Sequence, residues 1–207
     1  MRPRLYGILD ADAAARAGWR PLDLCRALLD GGARTIQVRA KQLPSGPLLA
    51  LCEEIVGAAT PFGAAIVVND RPDVARMSAA AGVHVGQDDM PPKAVRAIVG
   101  PDMIVGWSTH TIEQVAAAVT EPVDYIAVGP VFATHTKQTG YDPVGLALVR
   151  AAAHRARGIP VVGIGGITLD NARSVLEAGA SGVAVISDLL VTGDPRARTA
   201  AYLRALA

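Results

Sequence analysis

The feature that most constrains this chain is a strict alternation of two kinds of segment. One kind is short, apolar and rich in β-branched residues. It recurs at Leu5-Tyr6-Gly7-Ile8-Leu9, Thr35-Ile36-Gln37-Val38, Ala65-Ile66-Val67-Val68, Val83-His84-Val85, Met103-Ile104-Val105, Tyr125-Ile126-Ala127-Val128, Pro160-Val161-Val162-Gly163-Ile164 and Gly182-Val183-Ala184-Val185-Ile186. Near-continuous apolar runs of this length read as strands covered on both faces, as in a parallel sheet. The other kind is longer, rich in Ala and Leu, and spaced like a helix. Leu24, Cys25, Leu28 and Leu29 mark one such stretch, and Leu48, Leu51, Cys52 and Ile55 the next. Further helices are expected to begin near Asp73, Pro91, Thr111, Pro143, Asp170 and Pro195. Thr168 to Asn171, and Thr109 to Thr111 followed by Glu113, carry helix-start signals. Gly32-Ala33, Ala81-Gly82 and Gly179-Ala180 each precede a strand and read as left-handed helix ends.

Eight strand–helix units in 207 residues leave little chain for linkers. The expected fold class is α/β: a single-domain (β/α)8 TIM barrel over residues 1–207, with an open doubly wound sheet as the alternative. A 51% hydrophobic composition supports a large core, and with aromatics at 4% Ala, Val, Leu and Ile must fill it. The formal charge is +1, so no broad nucleic-acid-binding face is expected and any anion must be held by a local cluster. No apolar stretch reaches the length of about 20 residues that spans a bilayer, and the start of the chain is not signal-like. Cys25 and Cys52 have neither CxxC spacing nor a nearby His. They are expected to be buried free thiols in a reducing, cytoplasmic compartment. The expected assembly is a monomer or small homo-oligomer.

In a barrel, function sits at the C-terminal ends of the strands. After the second run, alternation places Gln37, Arg39 and Lys41 on one side of the chain. Only three lysines occur, Lys41, Lys93 and Lys137, and two of them lie in polar strand-end clusters. A compact ammonium there suits a phosphate contact. Asn69-Asp70 follows the third run and Gly86-Gln87-Asp88-Asp89 the fourth. Carboxylates from these neighbouring ends suit one hard cation such as Mg2+. Helix capping by Asp70 or Asp89 is the plainer reading, and spacing does not choose between Asp88 and Asp89. Ser108 and Thr109 after the fifth run serve either capping or binding, and His110 reads as structural. The sixth run leads into a long polar loop with Thr134, Thr136 and Lys137. Gly163-Ile164-Gly165-Gly166 and Ile186-Ser187 end the last two runs, where barrels often bind phosphate. Two anion sites are therefore expected, one mixed acidic and basic, the other rich in backbone. No nucleophile or Ser–His–Asp order stands out.

In order along the chain, these motifs resemble the thiamine-phosphate synthase family of barrels. The resemblance rests on QxRxK (Gln37 to Lys41), Asn69-Asp70, His84 to Asp89, Gly106 to His110, GPVFxTxTK (Gly129 to Lys137) and Ile164-Gly165-Gly166. It implies joining of 4-amino-2-methyl-5-(diphosphooxymethyl)pyrimidine to 4-methyl-5-(2-phosphoethyl)thiazole, or its carboxylated form. The products would be thiamine phosphate and pyrophosphate, through a pyrimidine carbocation captured by the thiazole nitrogen. It implies that Gln37, Arg39, Lys41, Asn69, Ser108 and Lys137 hold the pyrimidine diphosphate. Of these, Arg39, Lys41, Ser108 and Lys137 would act in catalysis. Asp70 and Asp89 would hold Mg2+, so the resemblance selects Asp89 over Asp88. Thr134, Thr136, Gly166, Ile186 and Ser187 would hold the thiazole phosphate. The chain departs from the family pattern at Ala40, where an acidic residue is common, and at Leu9-Asp10, where Thr-Asp is usual. A thiazole tautomerase on the same barrel and a non-catalytic phosphate-ligand binder are the competing readings. Neither needs the paired carboxylates.

Overall fold

Every apolar run forms a strand, and a helix follows each one. The computed structural model describes residues 4–134 and 140–207. The elements are β1 (Leu5–Asp10), α1 (Ala11–Arg16), α2 (Pro21–Asp30), β2 (Thr35–Arg39), α3 (Ser45–Ala59), β3 (Ala65–Asn69), α4 (Pro72–Met77), β4 (Gly82–Val85), α5 (Pro92–Val99), β5 (Ile104–Thr109), α6 (Ile112–Ala118), β6 (Tyr125–Val128), α7 (Gly145–Arg155), β7 (Val161–Ile164), α8 (Ala172–Glu177), β8 (Gly182–Val185) and α9 (Pro195–Ala205). The strands pair in parallel in chain order, and β8 pairs back onto β1. Leu5 lies opposite Val183, and Gly7 lies opposite both Val185 and Ile36. The sheet is thus a closed barrel, which excludes the open doubly wound arrangement. Among the described residues no helix is long and apolar enough to cross a membrane.

Strand alternation divides the core in two. Outward residues such as Leu9, Ile36, Val38, Val83, Ile126 and Val183 pack under the helices in the larger apolar layer. Inward residues Tyr6, Ile8, Val67, Tyr125, Val162 and Ala184 fill the barrel axis. Both cysteines are free and buried, as their setting predicts.

Side-chain caps start α1 and α6, and one of the three expected left-handed glycines is not left-handed. The short α1 carries no apolar stripe, only small alanines, and Asp10 caps it by accepting the Ala13 N–H at 2.8 Å. At α6, where the helix-start signal lies, Thr111 caps by accepting from the Gln114 N–H, and Gln114 Oε1 accepts the His110 N–H at 2.6 Å. Gly32 and Gly179 do hold left-handed φ values of 100° and 103°, but Gly82 does not. The left-handed residue there is Ala79, at φ 54°. Gly82 instead allows close approach of β5, since a Cβ on it would meet the Ile104 carbonyl oxygen at 2.7 Å.

Candidate active site

Strand ends from β1 to β8 converge on one rim, and two cavities open there. The larger, about 410 Å³, lies over β5 to β8 and is lined by Ser108, His110, Thr134, Gly165, Gly166 and Ser187, among others. The smaller, about 20 Å³, runs into the barrel between Tyr6, Gln37, Arg39, Asn69 and His84. Ser108, Ile164, Ala184 and Ile186 line both, so the two spaces share a wall.

The floor of the larger cavity is backbone. Gly165 and Gly166 both have positive φ, 98° and 63°. A Cβ on Gly166 would lie 2.5 Å from the Ala133 carbonyl oxygen, and one on Gly165 would lie 2.5 Å from Pro130 Cα. Only glycine permits this turn against the β6 loop. The Phe132 N–H donates to the Gly165 carbonyl at 3.0 Å and ties the two loops together. Asp188 lines the same cavity, and its Oδ2 accepts from the Leu169 N–H at 3.2 Å and from Arg198 Nη2 at 2.8 Å, and also from the Tyr202 hydroxyl. Asp188 thereby clasps α9 to the loop that follows β7. The sequence reading singled out none of Asp188, Arg198 and Tyr202 as functional. Their only signal is an acid directly after Ser187.

The acidic end is built around a strained turn. Asp70 has φ 62° and its N–H donates to the His84 carbonyl at 2.8 Å. Asp and Asn tolerate this left-handed geometry better than most residues. Asp70 Oδ2 lies 3.0 Å from Lys41 Nζ, and the Asp89 carboxyl is its other neighbour. Burial pushes the Asp70 carboxyl above its ordinary range, Lys41 pulls it down, and Asp89 pushes it up again. Asp89 Oδ2 accepts the Gly86 N–H at 2.7 Å, while Asp88 is exposed. Neither Asp70 nor Asp89 caps a helix: α4 and α5 begin after Arg71 and Pro91 without side-chain caps. Two oxygen donors from adjacent strands, facing each other, form a donor set that fits a hard divalent cation.

Gln37, Arg39 and Lys41 do not meet as three open donors. Lys41 pairs with Asp70, and Arg39 pairs through Nη1 with Asp10, which is 3% exposed. Arg39 Nε remains buried with no partner among the described residues. Gln37 enters a polar chain inside the barrel. Its Nε2 donates to the Tyr6 hydroxyl at 3.1 Å, and the Tyr6 and Tyr125 hydroxyls lie 2.9 Å apart. Tyr125 Oη lies 2.8 Å from His84 Nδ1, and His84 Nε2 lies 2.8 Å from Ser108 Oγ. Tyr6, Tyr125 and His84 were missed as site residues. The legible signal was a polar tip on the inward face of an apolar run, as in Val83-His84-Val85.

Asn69 lines the inner cavity, Thr134, Gly166 and Ser187 the outer, and Ile186 both. His110 is held by the Gly129 carbonyl and stacks on Tyr141, with ring centroids 3.9 Å apart. Thr136 and Lys137 lie outside the described residues.

Residues 5–189 match the family described as thiamine monophosphate synthase. The chain belongs to the thiamine monophosphate synthase family. The thiamine-phosphate synthase of Koribacter versatilis is 44% identical over 209 residues, covering 99% of this chain and 96% of the relative. That of Roseiflexus castenholzii is 44% identical, covering 95% of this chain and 85% of the relative. A solved thiamine phosphate pyrophosphorylase from Pyrococcus furiosus superposes with a TM-score of 0.90 at 33% identity, covering 99% and 96% of the two chains. As a member of the thiamine monophosphate synthase family, the chain is an enzyme of the transferase class. Among the residues that the resemblance selects, those described all stand on the rim or wall of the two cavities, or in the Lys41–Asp70–Asp89 cluster beside them.

Proposed function

We propose that this enzyme condenses the aminopyrimidine diphosphate with the thiazole phosphate, releasing thiamine phosphate and pyrophosphate by a Mg-assisted dissociative substitution. The observation that carries the reading is a pair of cavities sharing one wall, with carboxylates and cations beside one and glycine backbone under the other. Two substrates bound on either side of Ser108 and Ile186 would meet at that wall. Asp70 and Asp89 would hold the Mg2+, which when bound supplies positive charge opposite the leaving diphosphate. Arg39 offers its unpartnered Nε to an anionic oxygen, and Lys41 is placed to add a second cation. Charge builds on the diphosphate as the C–O bond breaks, so these contacts strengthen toward the transition state. Ser108, Asn69 and Gln37 line the pyrimidine side. Thr134, Gly166, Ile186 and Ser187 hold the thiazole phosphate; the resemblance adds Thr136 to this set and Lys137 to the residues that hold the diphosphate. The thiazole nitrogen needs no base, and none is assigned. The assembly proposed is a monomer or small homo-oligomer, and buried free thiols suit a cytoplasmic enzyme.

The test is turnover with both substrates and Mg2+, read as thiochrome fluorescence after oxidation and as pyrophosphate release. Equal amounts of both products, lost on chelation, are expected, and the carboxylated thiazole is run alongside as a second acceptor. Asp70→Asn is expected to lower kcat by about 100-fold or more. Folded protein that binds thiazole phosphate yet yields no product would overturn the reading in favour of a tautomerase or a non-catalytic binder.

A further inference from the structure

The polar chain through the barrel axis has more consequence than packing. Tyr6 and Tyr125 are fully buried, and burial drives both phenols far above their ordinary range, so each keeps its proton. Gln37 presents an amide nitrogen to Tyr6, and an amide nitrogen can only donate. The Tyr6 oxygen accepts from Gln37, and since Tyr125 Oη is the one acceptor beside the Tyr6 hydroxyl among the described residues, the Tyr6 hydrogen goes on to Tyr125. The Tyr125 hydrogen goes to His84 Nδ1, which must then be unprotonated. The ring proton sits on Nε2 and is donated to Ser108, whose own hydrogen is left to point into the cavities. Every hydrogen has an acceptor in this sense.

We infer that Gln37, Tyr6, Tyr125, His84 and Ser108 form a one-way donor chain, with His84 held as the neutral Nε2–H tautomer. Tyr6, Tyr125 and His84 are then positioning residues. They turn the Gln37 oxygen outward as an acceptor at one end and the Ser108 hydroxyl outward as a donor at the other. This inference rests on the function proposed above, because the polarity matches that substrate. A ring amino group donates to the Gln37 oxygen, and an anionic diphosphate oxygen accepts from Ser108. The reverse sense would set amide hydrogens against the amino group and serine lone pairs against the anion. The rings are also fixed mechanically. His84 stacks on Tyr125 with centroids 5.4 Å apart, and Tyr6 meets Tyr125 edge-on at 5.8 Å. Gly106 leaves the space for Tyr125, since a Cβ there would lie 2.0 Å from its Cζ.

Two readouts test this. In the free wild-type protein, nitrogen NMR of the His84 ring is expected to show its hydrogen on Nε2. A hydrogen on Nδ1, or on both nitrogens, would overturn the inference whatever the enzyme turns over. In turnover, kcat/KM for the aminopyrimidine diphosphate is compared with that for its 4-oxo analogue, which presents an acceptor instead. Tyr6→Phe frees the Gln37 amide to rotate, so discrimination is expected to fall about tenfold while KM for the thiazole phosphate stays unchanged. A variant that loses activity equally toward both pyrimidines, with the ratio kept, would reduce Tyr6 to a structural residue and sink the idea. Failure of the wild type to make product would count against the proposed function, while the ring tautomer would still decide the chain.

Discussion

A single acidic residue shows how this barrel holds a polar side chain in place. Asp188 lines the outer cavity with the two glycines and accepts from Leu169, Arg198 and Tyr202. Burial, and then the bond to Asp188, holds the Tyr202 phenol well above its usual value. Removing its hydroxyl in Tyr202→Phe should cost about 1–2 kcal/mol, as loss of a charge-assisted bond. Asp188→Ala should cost more, about 3 kcal/mol, because it strands the Arg198 charge. Urea unfolding measures both, and titration calorimetry should show weaker thiazole phosphate binding in Asp188→Ala. Unchanged binding would mean the clasp does not set the floor. The cysteines make a second residue-scale case. Burial pushes Cys25 up to about 12 and Cys52 up to about 11. Only the thiolate reacts readily, so native protein at pH 8 should resist iodoacetamide until it is unfolded, read as adduct mass.

Among the elements, the end of the barrel remote from the site has its own organiser. Arg96, on α5, donates to the carbonyls of Gly100, Met103 and Pro122 and to Asp124 Oδ2. It closes the turn between α5 and β5 and ties it to the segment before β6. Asp124 also accepts the Val105 N–H at 2.8 Å, so one pair joins three elements. Arg96→Ala should destabilise by about 2–4 kcal/mol, since several carbonyls lose one shared donor. Lysine cannot replace the planar fork. Because the pair sits at the N-terminal face, kcat per folded molecule should not change. Denaturant curves with active-site-normalised turnover separate the two, and a fall in kcat would show that strain reaches the rim.

For the whole molecule, consecutive parallel pairing of β5 to β8 makes the outer cavity a joint product of four strand ends. A ligand there contacts loops far apart in the chain and binds only the closed barrel. Thiazole phosphate at a hundred times its Kd should therefore raise stability by about 2.7 kcal/mol. A rise in melting temperature with ligand concentration checks this, and no rise would mean that thiazole phosphate does not bind the folded barrel.

The amino-acid sequence by itself determined the barrel's repeat and the rim's polar inventory. Both are local properties: run length, alternation and the residue that follows each run. Gln37, Asp70, Ser108 and Gly166 were legible because each ends an apolar run. Partnership was not legible. Arg39 meets Asp10 across 29 positions, and Tyr6 meets Tyr125 across 119. Asp89 stands beside Asp70 and Asp88 does not, although the two acids are adjacent in the chain. The first and third choices arise when neighbouring strands pair in register, and the Tyr6–Tyr125 contact only when the sheet closes and brings inward faces of distant strands within hydrogen-bond reach. Burial then requires each polar group to find a partner. The tertiary structure alone decided which cation answers which carboxylate, and that His84 belongs to the wall of the site.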